Sequence, residues 1–400
     1  MDGLERLYGN GLHHPATPSS PVRSRYSSSM SRRLDPNRAL SRQRLANQQI
    51  ANPRRSSPAD LVRWLGAVQA QDYPGSLWAL GLRLRGAGES DIEEAIAARS
   101  IVRTWPMRGT LHFVPAEDVR WMLRLLTPRV LARSAGRYRE LGLAEADFAR
   151  AERLLVRALR GGRRLTRRAA YAELERGGVS PAGQRGIHIL AHLAQRGLLC
   201  FGPRQERQPT FVLLEEWVPA ARDPARDEAL AILAGRYFAS HGPAALQDFA
   251  WWSGLLVGDA RRGIEAAGPE LVEAGGAGIW RSAAQARPML PRRTIAALLP
   301  PWDEYLVAYK NRDVAVGHLS HHQENRLALV GRPLVAIDGR VCGSWRRSVA
   351  ASIVQVSLDL WTPLSGAEKR AVEQAVTRYG RFLGRDVEVR GLELAERPRE

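Results

Sequence analysis

Apolar positions repeat at helical spacing in three successive stretches of this chain, and pairs of β-rich runs follow the first two. In the first stretch, Leu61, Trp64, Leu65 and Val68 recur at steps of three and four, the mark of an amphipathic helix. Ser57 suits its N-cap, Pro58 its first position and Asp60 its first turn. A helix over 57–71 follows, ended by the turn at Pro74-Gly75, because proline disfavours helical backbone at Tyr73. Helices are also predicted over 40–50 and near 91–98, with an apolar run at 77–85 between the last two. Residues 101–114 carry β-formers on both sides of Met107-Arg108-Gly109 and read as a hairpin. Helix returns over 115–135.

The pattern then recurs. Helices are predicted over 151–159, over 165–174 with Thr166 as cap, and over 180–196. The runs at 198–203 and 210–214, joined by a polar Arg204–Pro209 link, make a second hairpin. Helices preceding a hairpin are the order of a winged helix, a variant of the helix-turn-helix. A third copy starts near Asp227, with helices over 229–241, 242–253 and 258–267, so the modules read as a tandem array. From about Glu270 the chain turns strand-rich. A strand pair surrounds Asp338-Gly339, and strands at 352–360 and 387–394 flank a helix over 365–383.

These elements predict an α+β protein of three tandem winged-helix modules and a C-terminal β-rich, barrel-like domain. The divisions are a disordered tail over 1–36, modules over 37–148, 149–222 and 223–285, and the β-rich domain over 286–400. The tail is rich in Ser, Pro, Arg and Gly and lacks periodicity.

Charge sharpens this picture. Fifty-nine basic residues face 41 acidic ones, a net +18, and most of the excess lies beyond the tail. Only Lys310 and Lys369 are lysines; the rest are arginines, part of which reflects base composition. A basic body favours a polyanion, with nucleic acid ahead of an acidic membrane surface. Two isolated cysteines, Cys200 and Cys342, exclude a thiolate metal cluster and fit a reducing compartment. No apolar run is long enough to span a bilayer, and no secretory leader is evident. The chain is therefore expected in the cytoplasm of a bacterium, on its DNA.

Candidate chemistry is sparse. Gln69 and Gln71 flank Ala70. Residues two apart point to opposite sides of a helix but to one side of an extended chain. They either cap a helix end or serve one site where the helix unravels. His318, His321 and His322 invite a metal, yet they sit in a polar stretch with no metalloprotease or zinc-finger spacing, so a solvated loop is the simpler reading. Met107-Arg108-Gly109-Thr110 reads equally as a wing tip, and Asp303 with Arg312 as a structural pair. No phosphate-binding glycine loop or nucleophile elbow is present.

The chain resembles the winged-helix DNA glycosylases of the AlkZ and YcaQ type, from about Leu40 to Arg390. The resemblance rests on Val68-Gln69-Ala70-Gln71-Asp72-Tyr73 and Met107-Arg108-Gly109-Thr110-Leu111-His112. It continues through Arg236-Tyr237, His241-Gly242-Pro243-Ala244, Asp248-Phe249-Ala250 and Trp252-Ser253-Gly254-Leu255. Pro300, Asp303-Glu304-Tyr305, Tyr309-Lys310, Arg312 and Asp338-Gly339-Arg340 complete it. It implies three winged helices bent into a C around a DNA channel. It also implies catalysis through a Gln-apolar-Gln motif, here Gln69 and Gln71, as in the AlkZ branch, whose members protect antibiotic producers from their own alkylating products.

The implied activity is monofunctional removal of bulky or cationic alkylated purines of the N7-alkylguanine type from double-stranded DNA, with crosslinks left open. The expected enzyme is a monomer that needs no cofactor and no metal. Arg103, Arg108, Gly109, Thr110 and His112 of the hairpin are the expected DNA contacts, with Arg108 entering a groove beside the lesion. Arg185 and His188 of the second module are further backbone contacts. Tyr73, Asp303, Tyr305, Lys310 and Arg312 would wall or support the site. An open channel, without base flipping, is expected. The competing reading is a winged-helix transcriptional regulator without enzymatic activity, for which Gln69 and Gln71 would be dispensable.

Overall fold

One order of elements occurs three times in the computed structural model: helix, two-residue strand, helix, helix, hairpin. The structure describes residues 36–392, apart from 219–221, 275, 277, 286–292 and 320–327. The tail over 1–35, His321, His322 and the end of the last expected strand lie outside the described residues. After α1 (Pro36–Asn47), the first unit comprises α2 (Pro58–Leu65), β1 (Val68–Gln69), α3 (Tyr73–Gly81), α4 (Glu89–Ala97), β2 (Ile101–Met107) and β3 (Thr110–Pro115). The long α5 (Val119–Glu140) leads to α6 (Glu145–Leu159), β4 (Leu165–Thr166), α7 (Arg167–Arg176), α8 (Arg185–Gln195), β5 (Leu199–Gln205) and β6 (Gln208–Leu213). A short α9 (Leu214–Trp217) precedes the third unit. That unit is α10 (Arg226–His241), β7 (Ala244–Ala245), α11 (Leu246–Ser253), α12 (Val257–Ala267), β8 (Leu271–Glu273) and β9 (Ile279–Ser282). In each unit the two-residue strand pairs antiparallel with the second hairpin strand: β1 with β3, β4 with β6, β7 with β9.

The first two hairpins join edge to edge where Arg103 pairs with Phe201, giving one six-stranded sheet ordered β1-β3-β2-β5-β6-β4. One apolar core runs beneath it from Leu61 and Phe113 to Leu193, and on to Trp345 and Tyr379 near the C-terminus. A second gathers α5, the third unit and Tyr309, around Trp121, Tyr237 and Trp252. Burial on this scale holds the units together at roughly 25 cal/mol per Å² of apolar surface.

The C-terminal part contains β10 (Ala296–Leu299), α13 (Glu304–Val307), α14 (Asp313–Val316), β11 (Leu334–Ile337), β12 (Arg340–Val349), β13 (Ile353–Leu360), α15 (Gly366–Leu383) and β14 (Asp386–Arg390). Its five strands lie in chain order, antiparallel except for β13 and β14, which run parallel across the α15 crossover. The β-rich domain expected to be barrel-like is an open sheet curled into a half-barrel, with β10 and β14 as its edges. Asp338 and Gly339, at φ 49° and 82°, form the expected two-residue turn. A side chain at Gly339 would strike the Tyr305 hydroxyl. No helix among the described residues is long and apolar enough to cross a membrane.

Two expectations near the glutamines are corrected. The helix from Ser57 ends at Leu65, because Gly66 takes φ 81° and the chain then pairs with β3. Pro74 and Gly75 form no stop: they lie in the first turn of α3, where Asp72 accepts a hydrogen bond from the Gly75 amide at 3.0 Å. Proline is tolerated there because that N–H has no partner in the helix.

Candidate active site

Gln69 closes β1 and Gln71 lies in the bend that follows it; Val68, Gln69 and Ala70 are buried, and Gln71 is half-buried. The Ala70 amide donates to the Leu111 carbonyl at 2.7 Å, extending the β1–β3 pairing. The Gln71 Oε1 accepts from the Leu111 amide at 3.3 Å. Gln69 is 9% exposed, and its Oε1 accepts from Arg108 Nη2 at 3.2 Å.

Arg108 occupies the β2–β3 turn at φ 55°, followed by Gly109 at φ 77°. Left-handed backbone is unfavourable for a side chain as large as arginine, yet this one is held firmly. Its Nη1 donates to the Trp252 carbonyl at 2.6 Å, and its Nη2 lies 3.2 Å from His112 Nε2 as well as reaching Gln69. His112 Nδ1 stands 3.0 Å from the Thr110 carbonyl, which can only accept. The ring proton therefore sits on Nδ1, and Nε2 accepts from Arg108. Burial and the Arg108 charge push the His112 pKa down to about 3, so the ring is neutral.

Behind the strand lies Glu304, a fully buried carboxylate. Its Oε1 accepts from the Gln69 amide at 2.8 Å, its Oε2 accepts from Trp252 Nε1 at 3.0 Å, and His241 Nε2 is 3.6 Å away. Burial pushes this carboxyl up; the neighbouring His241 and the Arg108 guanidinium outweigh it and hold it below the ordinary range. His241 is itself pushed down by burial, against the pull of Glu304. Two glycines with positive φ let these groups meet. A side chain at Gly66 would press on the Trp252 ring at 3.1 Å, and one at Gly254 on Arg108 Cγ at 3.2 Å.

A buried polar frame fixes the helix that carries Glu304. Asp303 caps α13 by accepting from the Tyr305 amide, and pairs with the fully buried Arg83 at 2.6 and 2.8 Å. Arg83 also donates to Gln48 Oε1 at 2.9 Å. The Tyr305 hydroxyl donates to the Gly339 carbonyl at 2.8 Å, and that of Tyr309 to the His241 carbonyl at 2.7 Å.

The remaining expected residues fall in different places. Arg103 is buried; it donates twice to the Ala70 carbonyl, at 3.1 and 2.8 Å, and lies over the Tyr73 and Phe201 rings. Burial lowers its pKa to about 10, and it braces the glutamine strand from within. Tyr73 donates to Glu93 at 2.8 Å. Lys310 is exposed, with its amide on Asp248, and Arg312 donates to the Leu306 carbonyl at 3.0 Å while lying over Trp251. Arg185 ties down the carbonyls of Leu141, Gly142 and Ser180, and His188 packs edge-on to Tyr138, both in the second unit. His318 sits 2.8 Å from the Val341 carbonyl. Among the described residues, no group of three His, Cys, Asp or Glu side chains is placed to hold a metal ion. Sequence reasoning did not single out Glu304, Trp252 or His241 for the site. The available signal was an acid pair, Asp303-Glu304, set within the otherwise apolar run from Leu298 to Val307.

Residues 62–382 match the family described as DNA glycosylase AlkZ-like. An interstrand DNA cross-link repair glycosylase from Streptomyces sahachiroi is 27% identical over 358 residues, covering 84% of this chain and 94% of the relative. The solved structure of the Streptomyces sahachiroi DNA glycosylase AlkZ superposes with a TM-score of 0.70 at 25% identity, covering 88% of this chain and 98% of that one.

Proposed function

The chain belongs to the AlkZ-like DNA glycosylases, and from that premise we propose that Gln69 and Gln71 hydrolyse the N-glycosidic bond of cationic or bulky alkylated purines in double-stranded DNA. The observation that carries this reading is that both carboxamide oxygens are held by the β2–β3 hairpin, that of Gln69 by Arg108 and that of Gln71 by the Leu111 amide. Each three-helix unit, with its short strand and hairpin, is read as a winged helix, and the three together as a basic cradle for the duplex. The net charge of +18 supports that reading, and binding should weaken steeply with salt.

Loss of a base passes through an oxocarbenium-like sugar. A purine alkylated on its ring nitrogen is already cationic, so it leaves without a proton from the enzyme. The electron pair of the breaking bond neutralises the base, a water oxygen adds to the sugar carbon, and the water's proton passes to solvent. A glutamine carbonyl can orient that water by accepting its hydrogen bond, although it cannot hold a full proton near neutral pH. Catalysis of this kind acts on activated lesions and spares ordinary bases. No catalytic lysine is assigned to the site, so the strand is left uncut. Repair of damage from an alkylating natural product, including crosslinks of the kind named for the Streptomyces sahachiroi relative, is the setting this chemistry suits.

The test is release of free base from a duplex carrying N7-alkylguanine, comparing wild type with the Gln69→Ala/Gln71→Ala double variant. Release by wild type and loss in the variant, with DNA binding retained, supports the reading. Binding by both without release from any cationic lesion moves the regulator reading forward.

A further inference from the structure

Glu304 has no part in a mechanism of two glutamines and a water, yet it is a fully buried acid beside them. Burying a carboxylate is costly. The two N–H groups that it satisfies, from Gln69 and Trp252, could each be met by a neutral carbonyl. Its charge therefore calls for a separate reason, and Arg108 supplies one. Arg108 places a permanent cation 3.2 Å from the Gln69 carbonyl, where a positively charged sugar is to form. Left alone, that cation would oppose the transition state. Glu304 accepts from the backbone amide of the same Gln69, near enough for Arg108 to feel its field. Both neighbouring imidazoles, His112 and His241, are held toward their neutral forms by burial and do not cancel it.

We infer that Glu304 is a positioning residue of the glycosylase site, whose negative charge offsets Arg108 beside the developing oxocarbenium ion and whose hydrogen bond fixes the Gln69 backbone. The inference rests on the glycosylase reading and adds an electrostatic role to it. For an assumed separation of ~7 Å between this charge and the sugar, at an effective dielectric constant of ~20, loss of the charge slows the reaction by about 50-fold.

The experiment compares single-turnover base release at saturating N7-alkylguanine duplex for wild type, Glu304→Gln and Glu304→Asp, with duplex affinity and melting temperature measured on each. Glu304→Gln keeps the shape and an acceptor for the Gln69 amide but removes the charge; Glu304→Asp keeps the charge but shortens the reach. The expected result is release about 50-fold slower in the glutamine variant, with duplex affinity unchanged, and a faster rate in the aspartate variant than in the glutamine one. If shape alone mattered, the order would reverse. A glutamine variant at least as fast as the aspartate variant overturns the inference, even where one of them melts earlier. Wild-type protein that binds the duplex and releases no base overturns the glycosylase reading itself, and this inference with it.

Discussion

Arg108 holds the Gln69 carboxamide with one guanidinium nitrogen and the Trp252 carbonyl with the other. The hairpin of the first unit is thereby locked to the end of α11 in the third, and the orientation of Gln69 depends on both. A lysine has the same charge but offers a single ammonium group, which cannot span the two acceptors. Arg108→Lys should therefore slow base release by about 10- to 100-fold, the equivalent of one lost charge-assisted hydrogen bond, while duplex affinity stays nearly constant. Single-turnover release and a binding titration on the same duplex check this; a variant as fast as wild type would show that the bond to Gln69 has no role in turnover.

Gly254 closes α11 in left-handed backbone, φ 74°, with Arg108 Cγ where a side chain would project. Gly254→Ala should cost about 1–2 kcal/mol in strained backbone and should also displace Arg108. Its effect on base release is expected to exceed its effect on melting temperature. Gly258→Ala is the control, since nothing lies within 4 Å of a side chain there; inside α12 it is expected to be neutral or mildly stabilising.

Local signals carried much of the fold. Thr166 caps α7, Ser365 forms a capping box with Glu368, and the Asp338-Gly339 turn joins β11 to β12, all as the residue types require. The six-stranded sheet was not legible, because the Arg103–Phe201 pairing joins hairpins separated by a hundred residues. The site was half legible. The spacing of Gln69 and Gln71 requires extended chain if they are to act together. However, the helical period of Leu61, Trp64, Leu65 and Val68 conceals the break at Gly66, where the chain takes φ 81° and leaves for its pairing with β3, and where Trp252 of another unit packs close. Glu304 reaches Gln69 across 235 residues, and no local pattern encodes that meeting.

The Arg83–Asp303 pair is fully buried and bidentate, and it anchors the helix carrying Glu304. Removing one partner leaves a charge stranded in the core, which costs about 3–5 kcal/mol. Arg83→Met should lower the melting temperature by several degrees. Arg83→Met combined with Asp303→Leu should recover part of that loss, because no charge is left unpaired. A double variant less stable than Arg83→Met would show that Asp303 acts mainly through its cap on Tyr305 rather than through the pair.

Acid should unfold this protein through its buried imidazoles. His112 is held neutral in the fold, with its pKa lowered to about 3, whereas in the unfolded chain it titrates near 6.5. A depressed folded pKa contributes stability that is complete above pH 6.5 and is lost as the pH falls from there toward 3. His192, lowered to about 4 by burial and by Arg196, acts with the same sign, as does the lowered carboxyl of Glu304 at still lower pH. Between pH 7 and pH 4, His112 alone should account for about 3 kcal/mol, since each unit of pH below 6.5 contributes about 1.4 kcal/mol. A glutamine at this position stays neutral and retains a carbonyl acceptor for Arg108. His112→Gln should therefore start less stable at pH 7 but lose less on acidification. Denaturant unfolding at half-unit pH steps for both proteins measures the difference. Parallel curves from pH 7 to pH 4 would mean that His112 is charged in the fold, and that Arg108 does not donate to its ring.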